Sequence, residues 1–243
     1  MSLQTEYDIW HQRVFDADPG HADESSPWYR LVLEYLGPVE GRRILEVACG
    51  RGGFVRQLTS RGANVFGADF SISALHIAQE KLQRTNGQAA RASLVQADAQ
   101  CLPYVGNSFD VVCSCETIEH LPDPQSALRE MWRVTRPGGQ LFLTTPNYLN
   151  WMGLYELYAL VRHPHRKDGQ PFDRRQIFLQ VRRWLRRAGW EILRSDGTVH
   201  QFSFIPGRNP VAFSWLESNR VLRRILSPVA FHYFVIGRKR SPA

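Results

Sequence analysis

Three glycines follow an apolar run in the segment RRILEVACGRGGFVRQL, residues 42–58. A glycine turn between a strand and a helix often holds a dinucleotide pyrophosphate, in the pattern G-x-G-x-x-G or G-x-G-x-x-A, whose last small residue lets the helix pack on the strand. Here the β-branched Val55 takes that last position, and Glu46 lies four residues before Gly50. Because a carboxylate repels phosphate and attracts a cation, the turn favours a ligand with a positive end and no phosphate.

Two further carboxylates, Asp69 and Asp98, end the next two predicted strands. S-adenosylmethionine fits this set, since it has a sulfonium, an ammonium and a carboxylate but no phosphate. Asp69 is spaced to bind a ribose diol, and Asp98 to accept a hydrogen bond from the adenine amino group while the Ala99 N–H meets the ring. Each acid also has a structural alternative, as a helix charge partner, a helix cap or a turn former. Their order along three consecutive strands favours the cofactor interpretation.

The best candidate for a general base is His120, in the loop after the fourth predicted strand, because the ordinary pKa of imidazole lies near neutrality. Its structural alternative is a histidine that braces the following helix. Glu116 and Glu119 are secondary candidates, as bases or as orienting partners of His120. Three more histidines lie in irregular segments, either at the pocket or on the surface: His163, His165 and His200.

The sequence predicts no metal site. An oxygen-preferring cation needs clustered Asp and Asn ligands, whereas the fourth strand ends in Cys113, Ser114 and Cys115, and Asn147 and Asp173 are isolated. The four cysteines lack the spacing of a zinc site or a disulfide framework, which predicts reduced thiols in a cytoplasmic protein.

Short apolar runs alternate with helical patterns, which predicts an α/β fold with a mainly parallel, seven-stranded sheet. The predicted strands are residues 42–48, 63–69, 92–98, 109–115, 140–146, 190–196 and 230–239. The predicted helices are residues 52–62, 71–85 (with Ser71 as N-cap), 123–139 and 173–188, and Pro137 with the two glycines after it is expected to stop the third of them. One domain, 1–243, therefore carries an N-terminal helical cap, 1–40, and two substrate-side insertions, 147–172 and 197–228.

The charge is unevenly distributed over the 243 residues, whose net charge is +7. Residues 1–150 hold 13 basic and 17 acidic residues, whereas residues 151–243 hold 17 basic and 6 acidic ones. The arginine-rich segment RRQIFLQVRRWLRR is either a solvated helix face or a surface that attracts an anionic substrate or membrane. No apolar run reaches the roughly 18 residues of a membrane span, and the N-terminus does not resemble a secretory signal.

Several segments together resemble the class I S-adenosylmethionine-dependent methyltransferases: LEVACGRGGF, GADFS, VQADAQCLPYVGNSFDVVCSCETIEHLPDP and REMWRVTRPGGQLFLTTPN. The resemblance is continuous over residues 42–147 and returns weakly in WLRRAGWEI and FHYFVIGRK. The EHLPDP stretch is most similar to the small-molecule branch typified by ubiquinone-pathway O-methyltransferases. The resemblance implies a Rossmann-like sheet with helices on both faces, an antiparallel last strand and helical lid insertions.

The same resemblance implies the cofactor S-adenosyl-L-methionine and a set of binding residues. Glu46, Ala48, Gly50 and Gly52 would line the methionine moiety. Asp69 and Phe70 would hold the ribose and flank the adenine. Asp98 and Ala99 would hold the adenine edge, and Cys115 would lie beside the sulfonium.

The expected reaction is in-line methyl transfer to a hydroxyl of a sugar, phenol or natural-product intermediate. N- or C-methylation of a metabolite is an alternative. A nucleic-acid methyltransferase that uses the basic C-terminal third is another, although SCETIEHLP is not the Asn/Asp-Pro-Pro-aromatic motif of base N-methylation. A cofactor-binding module without catalysis, and contact of LYELYALVRHPHRK with an anionic membrane, also remain open.

Overall fold

A computed structural model of the chain describes residues 2–17, 26–84, 91–150, 153, 170–202, 211–212 and 214–241. The strands are β1 (Arg43–Val47), β2 (Asn64–Asp69), β3 (Ala92–Gln96), β4 (Phe109–Cys115), β5 (Thr135–Pro146), β6 (Glu191–Thr198), β7 (Gln201–Phe202), β8 (Val211–Ala212) and β9 (His232–Arg238). The α-helices are α1 (Leu3–Ala17), α2 (Pro27–Leu36), α3 (Gly53–Ser60), α4 (Ile72–Gln83), α5 (Pro124–Val134), α6 (Phe178–Arg187), α7 (Ser214–Ser218) and α8 (Arg220–Leu226).

Seven strands form one sheet in the order β3-β2-β1-β4-β5-β9-β6. The first five strands pair in parallel, and β9 is antiparallel to both β5 and β6. The chain order reverses beside β1, so the crevice for a ligand lies outside the carboxyl ends of β1 and β4. The predicted Rossmann-like α/β sheet with an antiparallel last strand is confirmed.

The sheet is covered on both faces, as its apolar strands require. Leu45 and Val47 of β1 pack on the side of α5 and α6, whereas Ile44 packs on the side of α2 and α3. This alternation follows the two-residue period of a strand. Glu46 therefore points to the same side as Ile44, under the helix that follows the glycine turn.

Two helix starts agree with their local signals. Ser71 caps α4 by accepting a hydrogen bond from the Ala74 N–H, as predicted. Asp123 caps α5 by accepting from the N–H groups of Gln125 and Ser126, and Pro124 occupies the first helical position. Both arrangements satisfy donors that the first turn of a helix leaves unpaired.

The predicted helix 123–139 is wrong at its C-terminal end. The helix stops at Val134, before it reaches the Pro137 that was expected to stop it, and β5 begins at Thr135. The Gly138 N–H donates to the Lys239 carbonyl, and the Lys239 N–H donates to the Gly139 carbonyl, so this stretch pairs with the chain after β9. Long-range pairing of that kind leaves no local signal. The helix predicted at 173–188 is also shorter, because residues before Phe178 are not helical.

The predicted cap and insertions are described only in part. Within residues 1–40, the described residues form the two helices α1 and α2. Residues 154–169 of the first insertion lie outside the described residues, and the second contains β7, β8, α7 and α8. Within the described part of the chain, no helix is long and apolar enough to cross a membrane.

Gly52 shows how the glycine turn is built. Its φ is +73°, and a Cβ on it would lie 2.8 Å from the Cβ of Ala78 in α4. The small residue that allows close packing is therefore Gly52 itself, which explains why the buried Val55 is tolerated three residues later. Gly41 has a similar φ of +70° but open space around it.

We expect Gly52→Ala to lower the free energy of unfolding more than Gly41→Ala does. Both substitutions strain the backbone by about 1 kcal/mol or more, but only the first adds a steric cost of about 1–3 kcal/mol. Urea unfolding measures the difference, and a double-mutant cycle with Ala78→Gly isolates the contact. Equal losses for the two variants would show that the Ala78 contact carries no cost.

Candidate functional site

A cavity of about 450 Å³ opens at the carboxyl ends of β1, β2 and β4 and is covered by α1. Ten of the residues predicted from the sequence lie on its wall: Ala48, Gly50, Asp69, Phe70, Asp98, Ala99, Cys115, Glu116, Glu119 and His120. Glu46 and Gly52 do not lie on the wall that the described residues form. The topology thus gathers the turns after four neighbouring strands at one edge of the sheet.

Glu46 lies behind the glycine turn rather than facing the cavity. Burial raises the pKa of Glu46 well above its usual range, the charge of Asp69 raises it further, and the backbone N–H of Val55 opposes the shift by donating a hydrogen bond to the carboxylate. Its Oε2 atom has no hydrogen-bond partner among the described residues. Glu46 therefore joins β1 to the first turn of α3 and contributes a buried carboxyl that favours its neutral form beneath the turn.

Asp69 is the carboxylate that faces the cavity at the end of β2. Its Oδ2 atom accepts a hydrogen bond from the Gly50 N–H at 2.7 Å, and its Oδ1 atom accepts one from the Ser71 N–H at 2.8 Å. Burial raises the pKa of Asp69 to about 6, and these backbone donors limit the rise. The side chain is thus oriented by the glycine turn, and its pKa lies above the ordinary value of an aspartate.

Asp98 is held in place by a neighbouring amide. The Gln100 Nε2 atom lies 3.0 and 3.1 Å from the two carboxylate oxygens of Asp98, and Gln100 in turn accepts from the Asp123 N–H. Phe70 contacts the cavity from the other side, with its ring at 6.4 Å from the ring of Tyr7 in an edge-to-face arrangement. The wall therefore combines an oriented carboxylate with an aromatic face.

The ring of His120 is oriented by one main-chain carbonyl. Its Nδ1 atom lies 2.8 Å from the Phe172 carbonyl oxygen, which requires an N–H at Nδ1 and leaves the lone pair on Nε2. Nε2 lies 3.6 Å from the Glu119 carboxylate. Burial lowers the pKa of His120 and raises the pKa of Glu119. Both groups therefore favour their neutral forms.

The structure pairs Glu116 with a histidine that the sequence did not single out. The Glu116 Oε2 atom lies 2.8 Å from His232 Nδ1, and the carboxylate near His120 is that of Glu119. Glu116 has a positive φ of 51°, which turns the chain sharply at the end of β4. His232 lines the same cavity, and its ring packs against Trp28 at 5.0 Å. Sequence analysis identified His232 only as part of a strand.

The cavity contains a second backbone turn at Cys115. The Cys115 side chain is buried, and its carbonyl oxygen accepts a hydrogen bond from the Thr117 hydroxyl at 3.1 Å. A carbonyl has two lone pairs, so one remains for a ligand. Burial raises the pKa of the Cys115 thiol, which keeps it protonated.

Other residues considered from the sequence have structural contacts. The Asn147 amide donates to the carbonyls of Pro228 and Ala230, and Asp173 lies 3.9 Å from His120 Nδ1. His200 is buried against Glu217 rather than on the surface. His163 and His165 lie outside the described residues. Among the described residues, no three His, Cys, Asp or Glu side chains converge to hold a metal ion.

Helix α1 covers the cavity and is anchored at two points. The Tyr7 hydroxyl donates to the His120 carbonyl at 3.3 Å, which connects the helix to the candidate base. The Asp8 carboxylate accepts from the Ser71 hydroxyl at 2.6 Å and from the Ser73 N–H at 3.1 Å, at the start of α4. A negative charge at a helix N-terminus is favourable.

Comparisons with known proteins agree with this geometry. A family model described as a methyltransferase domain matches residues 45–143. The ubiquinone biosynthesis O-methyltransferase of Pseudomonas aeruginosa (strain UCBPP-PA14) is 35% identical over 190 residues, which covers 75% of this chain and 78% of the relative. The demethylmenaquinone methyltransferase of Renibacterium salmoninarum is 29% identical over 163 residues, 65% of this chain and 66% of that relative.

A solved structure shares the fold. Phosphoethanolamine N-methyltransferase 2 of Haemonchus contortus, in complex with S-adenosyl-L-methionine, superimposes with a TM-score of 0.68 at 19% sequence identity. The match covers 99% of this chain and 60% of that chain.

We expect Asp8→Ala to free α1 from the body of the protein without unfolding the sheet. Each hydrogen bond to a charged group contributes about 1.5–3 kcal/mol at most. Losing the two bonds to Asp8 lowers the free energy that is needed for local opening of α1. Hydrogen exchange of α1 amides should speed up at least tenfold, whereas exchange in β1 and β4 stays slow. Asp16→Ala, which among the described residues removes a contact with Gln12 on the same helix, is the control. Unchanged exchange in Asp8→Ala would contradict the anchor.

Proposed function

Because the chain belongs to the S-adenosylmethionine-dependent methyltransferases of the ubiquinone- and menaquinone-pathway type, we propose that it transfers the methyl group to a hydroxyl of a small molecule. The observation that carries the proposal is a single cavity lined by both the carboxylates suited to the cofactor and two oriented imidazoles. A hydroxyl gains nucleophilicity when a base removes its proton, which an imidazole can do near neutral pH.

The cofactor is proposed to lie along the turns after β1, β2 and β3. Asp69 accepts the ribose hydroxyls and Phe70 packs on the adenine, while Asp98 and Ala99 hold the adenine edge. Ala48 and Gly50 present the main chain to the methionine moiety, and the Cys115 carbonyl lies towards the sulfonium. Glu46 and Gly52 act from behind, by supporting the turn that these residues form. The placement of the wall residues supports these roles.

The chemistry itself needs alignment more than bond activation. The sulfonium is a good leaving group, so holding the acceptor oxygen, the methyl carbon and the sulfur on one axis supplies much of the acceleration. When bound, the cofactor supplies the methyl group. The protein residues orient the acceptor, exclude water and take its proton.

His120 is proposed as the proton acceptor. Its Nδ1–H bond to the Phe172 carbonyl selects the tautomer with the lone pair on Nε2, and its lowered pKa keeps that lone pair available at neutral pH. Glu119, buried and favouring the neutral form, lies 3.6 Å from Nε2, which is beyond hydrogen-bond distance.

His232 is the second candidate for the same role, and its geometry is independent of His120. The Glu116 carboxylate accepts the Nδ1–H and so leaves the lone pair of the neutral ring on Nε2. Since a single hydroxyl has one proton to give, the two imidazoles are alternatives for that step, and substitution distinguishes them.

Two other functions from the sequence remain as alternatives. N- or C-methylation uses the same cofactor site and differs only in the atom that receives the methyl group. Nucleic-acid methylation would draw on the basic C-terminal third through phosphate contacts. The segment 154–167, considered for membrane contact, lies outside the described residues. Transfer of a ¹³C-labelled methyl group to a panel of sugars, phenols and prenylated phenols, with NMR of the product, identifies the acceptor atom.

We expect the affinity for S-adenosylmethionine to fall as the pH drops through about 6. The ionised form of Asp69 binds the ribose hydroxyls and attracts the cation, and the pKa of Asp69 in the free protein is about 6. Binding is therefore strongest above that pH and weakens below it. Isothermal calorimetry from pH 5 to 8 measures the change.

The Asp69→Asn variant should bind S-adenosylmethionine about 10- to 100-fold more weakly, because it loses a charge-assisted hydrogen bond. Its affinity should also no longer depend on pH in this range. Asp16→Asn, on the outer part of α1, is the control. A pH dependence that persists in Asp69→Asn would assign it to another group.

We expect substitution of the true base to lower turnover by about 10²- to 10⁴-fold while cofactor affinity stays near the wild-type value. His120→Gln and His232→Gln are compared with His76→Gln, an exposed histidine of α4. Product formation is measured by mass spectrometry with the acceptor found above, as a function of pH, with and without EDTA and Mg²⁺. The base variant should lose the acidic limb of the profile. If neither substitution slows turnover, base catalysis by an imidazole is wrong, although methyl transfer itself would stand.

A further inference from the structure

The chain turns sharply after β6, and Val199 makes the turn. Its φ is +62°, in the left-handed region that β-branched residues rarely adopt. A residue keeps such a strained conformation only where the surrounding structure imposes it. Glycine takes the same conformation without strain, because it has no Cβ. The turn at Val199 therefore depends on contacts from elsewhere in the chain.

Glu217 of α7 supplies such contacts with one carboxylate. Its Oε1 atom accepts a hydrogen bond from the His200 backbone N–H at 2.8 Å, and its Oε2 atom accepts one from the Thr198 hydroxyl at 2.9 Å. These two donors flank Val199 in the chain. Burial favours the neutral form of Glu217, but the hydrogen bonds from His200 and Thr198 outweigh burial and lower the pKa of Glu217 to about 2. The carboxylate is therefore ionised at neutral pH and bonded to both sides of the turn.

The side chain of His200 is held by the same carboxylate. Its Nδ1 atom lies 2.9 Å from Glu217 Oε1, so a neutral ring donates there and has its lone pair on Nε2. His200 is 1% exposed, and Nε2 has no hydrogen-bond partner among the described residues. Within this part of the chain, Glu217 is thus the polar contact that orients the ring.

The turn at Val199 is hydrogen-bonded to a segment that forms part of the cavity wall. The Phe231 N–H donates to the Val199 carbonyl at 3.3 Å, and Thr198 pairs with His232 in the register of β6 and β9. Phe231 and His232 line the cavity, whereas neither Val199 nor Glu217 lies on the wall that the described residues form. An effect of Glu217 on a bound ligand therefore passes through the turn.

The sheet order separates this part of the wall from the proposed cofactor site. Strands β9 and β6 lie on one side of β5, whereas β1, β2 and β3, whose turns carry the cofactor residues, lie beyond β4 on the other side. His232 is a candidate base, and the ring of Trp28 packs on it at 5.0 Å. A ligand that contacts Phe231 and His232 is therefore expected to be the methyl acceptor.

We propose that Glu217 is a positioning residue for the methyl acceptor. By holding the strained turn at Val199, its carboxylate sets the places of Phe231 and His232 on the cavity wall. This role rests on the proposed methyl transfer to a small molecule. Since glycine takes a positive φ without strain, Val199→Gly should make the turn independent of Glu217.

Hydrogen exchange detected by NMR tests the link between Glu217 and the wall without any acceptor. In Glu217→Ala the Phe231 amide should exchange about tenfold faster or more, because its partner carbonyl belongs to a turn that is no longer held. The double variant Glu217→Ala/Val199→Gly should exchange within about threefold of Val199→Gly alone. Glu191→Ala, which removes a carboxylate bonded to Arg238 at the other end of β6, is the matched control and should exchange like the wild type at Phe231.

Steady-state kinetics with the acceptor identified above test the positioning role itself. Glu217→Ala should raise the KM for the acceptor about tenfold or more, because Phe231 and His232 are no longer held in place. The Kd for S-adenosylmethionine, measured by calorimetry, should stay within about twofold of the wild-type value, since the cofactor turns lie beyond β4. Adding Val199→Gly should restore the KM. A general loss of structure would weaken the binding of both ligands.

Three results would overturn the positioning role. They are an unchanged exchange rate of the Phe231 amide in Glu217→Ala, a Kd for S-adenosylmethionine that rises as much as the acceptor KM, and a double variant that stays as impaired as Glu217→Ala. A wild-type chain that binds S-adenosylmethionine but methylates no acceptor of the panel would contradict the proposed function instead. The exchange rates would then still decide whether Glu217 holds the wall.

Discussion

The hydrogen bonds that Asp69 accepts from Gly50 and Ser71 are the contacts on which the candidate site depends. They connect the turn after β1 to the turn after β2, and both turns start helices that pack against each other at Gly52 and Ala78. This arrangement has an energetic cost, because burial disfavours the charged form of the Asp69 carboxylate and raises its pKa to about 6. Two backbone donors reduce that cost, and a cation in the cavity would reduce it further. The fold therefore favours a positively charged ligand before any acceptor binds.

A second constraint acts on the other side of the cavity, where imidazoles and carboxyls alternate. His120 and Glu119 are both driven towards neutral forms by burial, whereas Glu116 and His232 form a direct hydrogen-bonded pair. One cavity thus holds two imidazoles whose Nδ1 atoms have different partners, a main-chain carbonyl for His120 and a carboxylate for His232. Helix α1 covers this region and is held by contacts at Tyr7 and Asp8, so one helix lies over both the imidazoles and the proposed cofactor site.

The sequence predicted most of the sheet, because parallel strands that are buried on both faces appear in a sequence as short apolar runs between helical patterns. Strand β4 was predicted residue for residue, and Ser71 as the cap of α4. The end of α5 was predicted too late, since Thr135–Gly139 leaves the helix to pair with strands far away in the chain. Nothing in the local pattern of Pro137 and two glycines distinguishes a helix stop from the start of such a strand.

What the sequence determined by itself was the chemistry available at the ends of the strands: a glycine turn, carboxylates at Glu46, Asp69 and Asp98, and an imidazole at His120. Those features follow from residue type and from the rule that parallel strands end at one edge. Only the tertiary structure decided which groups touch. It placed Glu46 behind the turn, paired Glu116 with His232 across 116 residues, and bonded Glu217 to the residues on both sides of Val199. Such pairings depend on how distant segments pack, and a local pattern carries no record of that packing.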